Sequence, residues 1–192
     1  MNARTAKLFA LVDVGEKMIS GEVDPVAGSR EIAHLSPGGD EATYAAYADQ
    51  GPFAPFISID LQADDYDVWI GDRTLWSDEF VQDRDLRYAE YARSLQPEIA
   101  EHCRALLAVI TPWLRACPVC GFGTSKPPYD AAGEPSFEQC RSCGFEFGVT
   151  ENAGYDVEEW RRRWRAEGMP FRHPPVPSHW DPAVQLAAAG IA

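Results

Sequence analysis

The sequence predicts a mainly α-helical N-terminal domain, with one or two short strands, joined to a small β module built around cysteines. Three observations lead to this fold class. Apolar residues recur at helical spacing through most of the N-terminal part, prolines and glycines interrupt that pattern, and the motif Cys-x-x-Cys-Gly-Phe occurs twice after it. We therefore expect a helical acidic domain at 1–113, a cysteine module at 114–150, and a helix with a proline-rich tail at 151–192 that packs on the module.

The helices are placed by apolar periodicity and by capping signals. They are expected at 5–20, 25–35, 40–48, 78–93, 97–110 and 156–167. Asp24-Pro25 combines an N-cap residue with proline at the first helical position, and Pro97 opens a helix in the same way. The segment FAPFISIDL at 53–61 alternates in polarity and predicts a strand. Cys103 lies on an apolar helix face, which favours a small buried hydrophobe over a nucleophile.

Length and composition bound the class of protein. The 192 residues and a hydrophobic content of 45% suffice for a packed core. No apolar run approaches the roughly 18 residues of a membrane-spanning helix, and the run LFALV is too short for a signal peptide. We therefore expect a cytoplasmic protein with no membrane partner, in which paired cysteines stay reduced and indicate a metal ion.

The charge is strongly negative and unevenly distributed. The formal net charge is −13, and residues 1–116 carry 20 acidic and 10 basic side chains. Such a field repels nucleic-acid phosphates and favours a basic protein partner; the alternative is that it serves solubility alone. The stretch from Asp60 to Asp72 is either a solvated loop or an acidic docking surface. The docking interpretation uses Asp64, Asp65 and Asp67 with the aromatic anchors Tyr66, Trp69 and Trp76.

Four cysteines carry the strongest chemical signal. Cys117, Cys120, Cys140 and Cys143 form the pattern C-x2-C-x19-C-x2-C. Gly121 and Gly144, each just after a second cysteine, can take the positive φ of a metal-binding knuckle turn. Four thiolates close a tetrahedral Zn²⁺ site with no open position, so the zinc would be structural and not catalytic. Iron is the alternative metal, since rubredoxin uses two such knuckles, and two disulfide or redox pairs are the simplest non-metal interpretation.

The cysteine segment also resembles a known family. CPVCGFG and FEQCRSCGFEFG, with the following GYDVEEWRRRWRAEGMPF and SHWDPAVQL, resemble small bacterial zinc-ribbon proteins of the cysteine-rich CPCC type. The lead Phe137-Glu138-Gln139-Cys140 matches the aromatic-Glu-x-Cys of that family, whereas Val119 stands where a CPCC knuckle has a further cysteine. The resemblance covers about 114–187 and implies a rubredoxin-like zinc ribbon, with no implied activity. Residues 1–113 resemble N-terminal regions of bacterial proteins, some of them immunity-like.

We therefore expect a binding role and not catalysis. His34, His102, His173 and His179 are scattered, and no phosphate loop or nucleophile elbow is present. The leading interpretation is a zinc-binding adaptor or immunity-like module for a protein partner. The alternative is a nucleic-acid-associated zinc ribbon that uses the Arg161–Arg165 helix beside Trp160 and Trp164, although a salt-bridged face explains those arginines more simply. A third interpretation is a rubredoxin-like iron electron carrier.

Overall fold

The structure, a computed structural model, describes residues 3–36, 51–63, 73–189 and 191. The helices of the described residues are α1 (Ala3–Ser20), α2 (Pro25–Leu35), α3 (Ala54–Ala63), the 3-10 turn Arg73–Leu75, α4 (Asp78–Leu114), α5 (Val149–Asn152), α6 (Val157–Ala166) and α7 (Pro182–Ala188). The mainly helical prediction is confirmed. Among the described residues, those within 10–109 form one compact unit, the helical unit, and those within 1–9 and 110–192 form a second, the cysteine unit.

The helical unit has its own apolar core. Its fully buried members include Met18, Ile32, Ala33, Phe56, Ile57, Ile99, Cys103 and Leu106. Helix α2 packs against α3, and Asp24 caps α2 by accepting from the Val26 and Ala27 N–H groups at 3.0 Å. Arg30 on α2 and the nearly buried Asp60 on α3 form an ion pair at 2.8 Å, so the buried carboxylate has a charged partner.

The segment predicted as a strand at 53–61 is a helix instead. Helix α3 runs over Ala54–Ala63 and buries Phe56, Ile57, Ile59, Asp60 and Ala63. Burial of adjacent residues follows helical spacing and breaks the alternation expected of a strand, since Leu61 is exposed while Ile57 and Ile59 are buried. Packing against α2 decides the outcome in favour of the helix.

The two helices predicted at 78–93 and 97–110 are one. Helix α4 has 37 residues in all and continues without a break through Pro97. The proline removes one intrahelical hydrogen bond at a cost of about 3 kcal/mol. Burial of Ile99, Cys103 and Leu106 beyond it offsets that cost, since each side chain is at most 1% exposed.

The cysteine unit lacks the β-ribbon that the sequence analysis predicts. The described part of the chain contains no strand, and the segment around the cysteines has isolated antiparallel bridges of Ala116 with Gly123, Tyr129 with Pro135, and Gln139 with Glu146. The intervening loop is rich in proline, which has no N–H to donate to a ladder. Each knuckle is itself flanked by a single bridge.

Helix α6 and the segment after it pack on the cysteines. One buried cluster joins the four cysteines to Tyr129, Phe145, Phe147, Val157, Trp164, Leu186, Ala189 and Ile191. Asp156 caps α6 by accepting from the Glu159 N–H at 2.6 Å, and Asp181 caps α7 in the same way. These caps fix where both helices begin, so their apolar faces meet the cysteine loops.

Two predicted features lie outside the described residues. They are the helix at 40–48 and most of the acidic stretch, including Asp64, Asp65 and Asp67. In the ranges that the structure does describe, no helix combines the length and the apolar character needed to cross a membrane.

Candidate metal centre

The two cysteine knuckles have the same backbone hydrogen bonds. In the first, the Gly121 N–H donates to the Cys117 carbonyl at 2.7 Å and the Cys117 N–H donates to the Phe122 carbonyl at 2.8 Å. In the second, Gly144 donates to Cys140 and Cys140 donates to Phe145, both at 2.8 Å. The chain therefore builds one turn twice, as the repeated motif predicts.

Both turns depend on the glycine after the second cysteine. Gly121 has φ +78° and Gly144 has φ +75°, which is the left-handed region that side chains with a Cβ rarely adopt. This conformation closes the turn and turns both cysteines of a knuckle towards the other knuckle.

The four sulfurs lie at the spacing of a tetrahedral metal site. All four Sγ atoms are within 4.8 Å of one another. Across the two knuckles, Cys117 Sγ lies 3.7 Å from Cys143 Sγ and Cys120 Sγ lies 3.5 Å from Cys140 Sγ. A tetrahedron with metal–sulfur bonds of about 2.3 Å has edges of about 3.8 Å. An S–S bond of about 2.05 Å would be far shorter, so the separations fit a shared metal ion and not disulfides.

The sulfurs are also buried enough to need a cation. All four cysteine side chains are at most 1% exposed. Burial raises the pKa of the Cys117 and Cys143 thiols well above the ordinary value, whereas hydrogen bonds from the Cys117 thiol and its neighbours lower the pKa of Cys140. Four buried thiolates require a compensating cation, which a divalent metal ion supplies.

Aromatic rings pack around the second knuckle. Phe145 is fully buried, and its ring lies 5.9 Å from Phe147 and 5.8 Å from Trp160 between centroids. Phe122, at the matching position of the first knuckle, is half-buried and contacts Phe171 edge-to-face at 5.4 Å. The two matching phenylalanines thus differ in burial, with the second more enclosed.

Side chains from α6 and α7 hold the carbonyls of the first knuckle. Arg161 donates from Nε to the Val119 carbonyl at 2.8 Å and from Nη2 to the Pro118 carbonyl. Gln185 Nε2 donates to the Cys120 carbonyl at 2.7 Å. Each carbonyl between Pro118 and Cys120 therefore has a partner, as buried backbone oxygens require.

The second knuckle is held at equivalent positions by other groups. The backbone N–H of His173 donates to the Arg141 carbonyl at 3.0 Å, and that of Arg172 donates to the Ser142 carbonyl at 2.9 Å. Trp160 Nε1 donates to the Cys143 carbonyl at 3.1 Å. In both knuckles, a side-chain N–H from a later helix thus binds the carbonyl of the second cysteine.

The predicted arginine cluster is largely used inside the cysteine unit. Arg161 is 12% exposed and pairs with Glu158 at 2.6 Å, in addition to its bonds to the knuckle. Arg163 pairs with Glu167 at 3.2 Å and lies 5.6 Å above the Trp160 ring. These contacts support the salt-bridged face and remove Arg161 from the set that a phosphate backbone could contact.

The other candidate residues do not join the site. Within the described ranges, the four cysteines are the one group of three or more His, Cys, Asp or Glu side chains arranged to hold a metal ion. Cys103 is buried in the helical unit with its Sγ 3.9 Å from Met18 Sδ, as expected for a small apolar side chain.

Sequence reasoning missed the residues that hold the knuckles. The sequence marks Arg161 only as part of a basic cluster and gives no signal for the role of Gln185. One local signal was available, because Asp181-Pro182 repeats the Asp-Pro start of α2 and marks where α7 begins. Which α7 side chain reaches a cysteine carbonyl depends on tertiary packing and has no local signature.

Comparison with known proteins gives no relative from which a function could be inferred, so the inference of function depends on the geometry of the site. No family model, no curated protein and no solved structure matches this chain.

Proposed function

We propose that Cys117, Cys120, Cys140 and Cys143 bind one Zn²⁺ ion as a structural centre. The observation that supports this proposal is the arrangement of four buried sulfurs at 3.5 and 3.7 Å across the knuckles. With all four thiolates bound, zinc has no vacant position for water or substrate. The ion would stabilise the cysteine unit, by an amount on the order of 10–16 kcal/mol for small zinc modules.

We propose further that the protein is a binding module, of adaptor or immunity-like type, whose partner is a basic protein. Residues 10–109 contain 20 acidic and 7 basic side chains, whereas residues 1–9 and 110–192 together contain 10 of each. The whole formal charge of −13 therefore belongs to the helical unit. A field of this size speeds encounter with a positively charged surface. The CPCC-type resemblance and a reducing, cytoplasmic location remain part of this proposal.

The metal proposal is tested by elemental analysis combined with thiol titration of the purified chain. We expect one zinc per chain, no thiol reactive in the native state, and four reactive thiols after a chelator is added. Iron with a red colour would replace zinc by iron and favour the electron-carrier alternative. Metal-free protein with all thiols freely reactive would contradict the metal centre itself.

The partner proposal is tested by local charge reversal. We expect the triple variant Asp64→Lys, Asp65→Lys and Asp67→Lys to lose most of its affinity for a lysine-rich peptide while its thermal unfolding is unchanged. The matched control reverses Glu16, Glu98 and Glu101, which changes the net charge equally. Equal losses in both variants would assign the effect to overall charge and contradict a docking surface. A salt-sensitive mobility shift with RNA or DNA would favour the nucleic-acid alternative instead.

A further inference from the structure

A cavity of about 310 Å³ opens beside the second knuckle, within the cysteine unit. Its walls include Gln139, Gly144, Trp160, Arg163, Arg172 and His173. The cavity thus combines an indole wall with two guanidinium groups. Its volume lies at the small end of ligand-binding pockets, which suits a ligand of about amino-acid size.

The two arginines of the cavity converge on one carboxylate. Arg163 Nε lies 3.2 Å from Glu167 Oε1, and Arg172 Nη2 contacts Glu167 Oε2. The side chains of Arg163 and Arg172 are 57% and 40% exposed, so they keep donors open to solvent. Paired guanidinium groups around a carboxylate form a recognition site for planar anions.

Glu167 is weakly held in that site. It is the C-cap residue of α6, at the helix end where the macrodipole disfavours a negative charge. Its side chain is 35% exposed, and exposed ion pairs contribute little to stability. An external carboxylate of similar shape can therefore replace it at little cost.

We propose that this cavity binds a small ligand bearing a planar carboxylate, which displaces Glu167 from between Arg163 and Arg172 while the apolar body of the ligand lies against Trp160. The inference rests on the proposed metal centre, because Cys143 and Gly144 form part of the cavity wall. Glu167 acts as an internal stand-in that occupies the site when no ligand is bound.

The test uses the full zinc-loaded chain and benzoate as the probe, with neutral benzamide as its matched control. Binding is followed by titration calorimetry, and the zinc content of every variant is measured. We expect benzoate to bind the native chain and benzamide to bind at least tenfold more weakly. Glu167→Gln should tighten benzoate binding by about fivefold, the upper end for the loss of a competing surface pair. Arg172→Gln should abolish binding, and Arg162→Gln, next to the cavity residue Arg163 but not itself lining the cavity, should leave it unchanged.

Several results would overturn the proposal while leaving the metal centre intact. One is a zinc-loaded chain that binds neither benzoate nor its amide. Others are an affinity that Glu167→Gln leaves unchanged, or inorganic phosphate bound as tightly as benzoate. A chain that lacks zinc but binds benzoate with the same variant pattern would keep the cavity and contradict the metal centre. A chain that neither contains zinc nor binds benzoate would contradict both the metal centre and the ligand proposal.

Discussion

Gly121 and Gly144 occupy equivalent positions in the knuckles but have different surroundings. A Cβ built on Gly121 would lie 2.7 Å from both the Gln185 carbonyl oxygen and the Ala189 Cβ. The nearest atom to a Cβ on Gly144 would be the Arg172 Cγ, a side-chain atom at 3.4 Å. Both glycines have a positive φ, so they differ only in the room that their surroundings leave for a Cβ.

We therefore expect Gly121→Ala to be more damaging than Gly144→Ala. The left-handed conformation should cost each variant about 1 to 2 kcal/mol. Gly121→Ala must also move α7 away from the first knuckle, which breaks the bond from Gln185 to the Cys120 carbonyl. Zinc retention during chelator competition measures the difference, with Gly144→Ala as the control. Equal retention by the two variants would mean that α7 does not pack on the knuckle as described.

Cys103 should behave unlike the other four cysteines. Burial raises the pKa of its thiol from 9.0 to about 11, and the thiolate is the reactive form. Any contribution of this group to stability is therefore present below pH 9 and is lost as the pH rises towards 11. At pH 8, in the presence of a chelator, iodoacetamide should label four cysteines quickly and Cys103 very slowly.

The rate at Cys103 should rise as the pH approaches 11. Mass spectrometry of the labelled peptides measures it, and Cys103→Ala provides the control for the total count. Fast labelling of Cys103 at pH 8 in the folded chain would contradict its burial.

At the scale of elements, α6 and α7 complete the candidate metal centre. Helix α7 is itself fixed from two sides, because the Trp113 Nε1 donates to the Ala188 carbonyl at 3.0 Å and Arg4 donates to the Ala189 carbonyl. The three carbonyls of the first knuckle then depend on Arg161 and Gln185 alone. In metal sites generally, residues that hydrogen-bond to the ligand residues without touching the metal fix the orientation of those ligands.

We expect Arg161→Gln and Gln185→Leu each to weaken zinc binding by about 10- to 100-fold, the usual effect of losing a residue that orients a metal ligand. Arg162→Gln is the control, since that exposed neighbour has no bond to a knuckle. Chelator competition gives the affinities. If both variants bind zinc as tightly as the native chain, the carbonyl contacts are incidental to the centre.

The predicted and observed helices also show which elements can be predicted from the sequence alone. Helices α1, α2 and α6 follow from apolar periodicity and from the Asp24 and Asp156 caps, because those signals are local. Helix α3 could not be separated from a strand, since FAPFISIDL satisfies both periods and packing against α2 decides. The continuity of α4 through Pro97 likewise depends on what is buried on both sides of the proline.

The residues of the candidate site likewise divide into those that the sequence predicts and those that it does not. Spacing identifies the four cysteines, because two knuckles suffice to describe a tetrahedral site. Trp160, Arg161 and Gln185 could not be assigned, since each reaches a carbonyl far away in sequence. The sequence also predicts more β-structure around the cysteines than is present, because each knuckle needs only its turn and one bridge.

At the scale of the whole molecule, the buried residues fall into two units, and the proposed metal ion would stabilise one of them. The buried cluster of the cysteine unit includes all four cysteines, whereas that of the helical unit is apolar apart from a few polar groups such as Ser29 and Asp60. Chelation should therefore unfold the cysteine unit and leave the helical unit folded. We expect a small loss of helical circular dichroism on chelation, followed by a separate thermal transition of the remainder.

Hydrogen exchange of the chelated chain locates that loss. Amides of α6 and α7 should lose protection, whereas those of α2 and α3 should keep it. Substitution of all four cysteines by serine supplies the control, because a chelator should change nothing further in that variant. Simultaneous loss of protection in every helix would show that the two cores do not unfold independently.

The long sequence separation between Cys120 and Gln185 also bears on how the protein is made. The ribosome completes both knuckles well before it reaches α7, so the first knuckle leaves the exit tunnel with its Cys120 carbonyl bound only to water. A metal ion captured at that stage can still exchange with the cell's thiol pool. Only after Gln185 has itself left the exit tunnel can the carbonyl of Cys120 gain its partner, and a bound ion would then be retained.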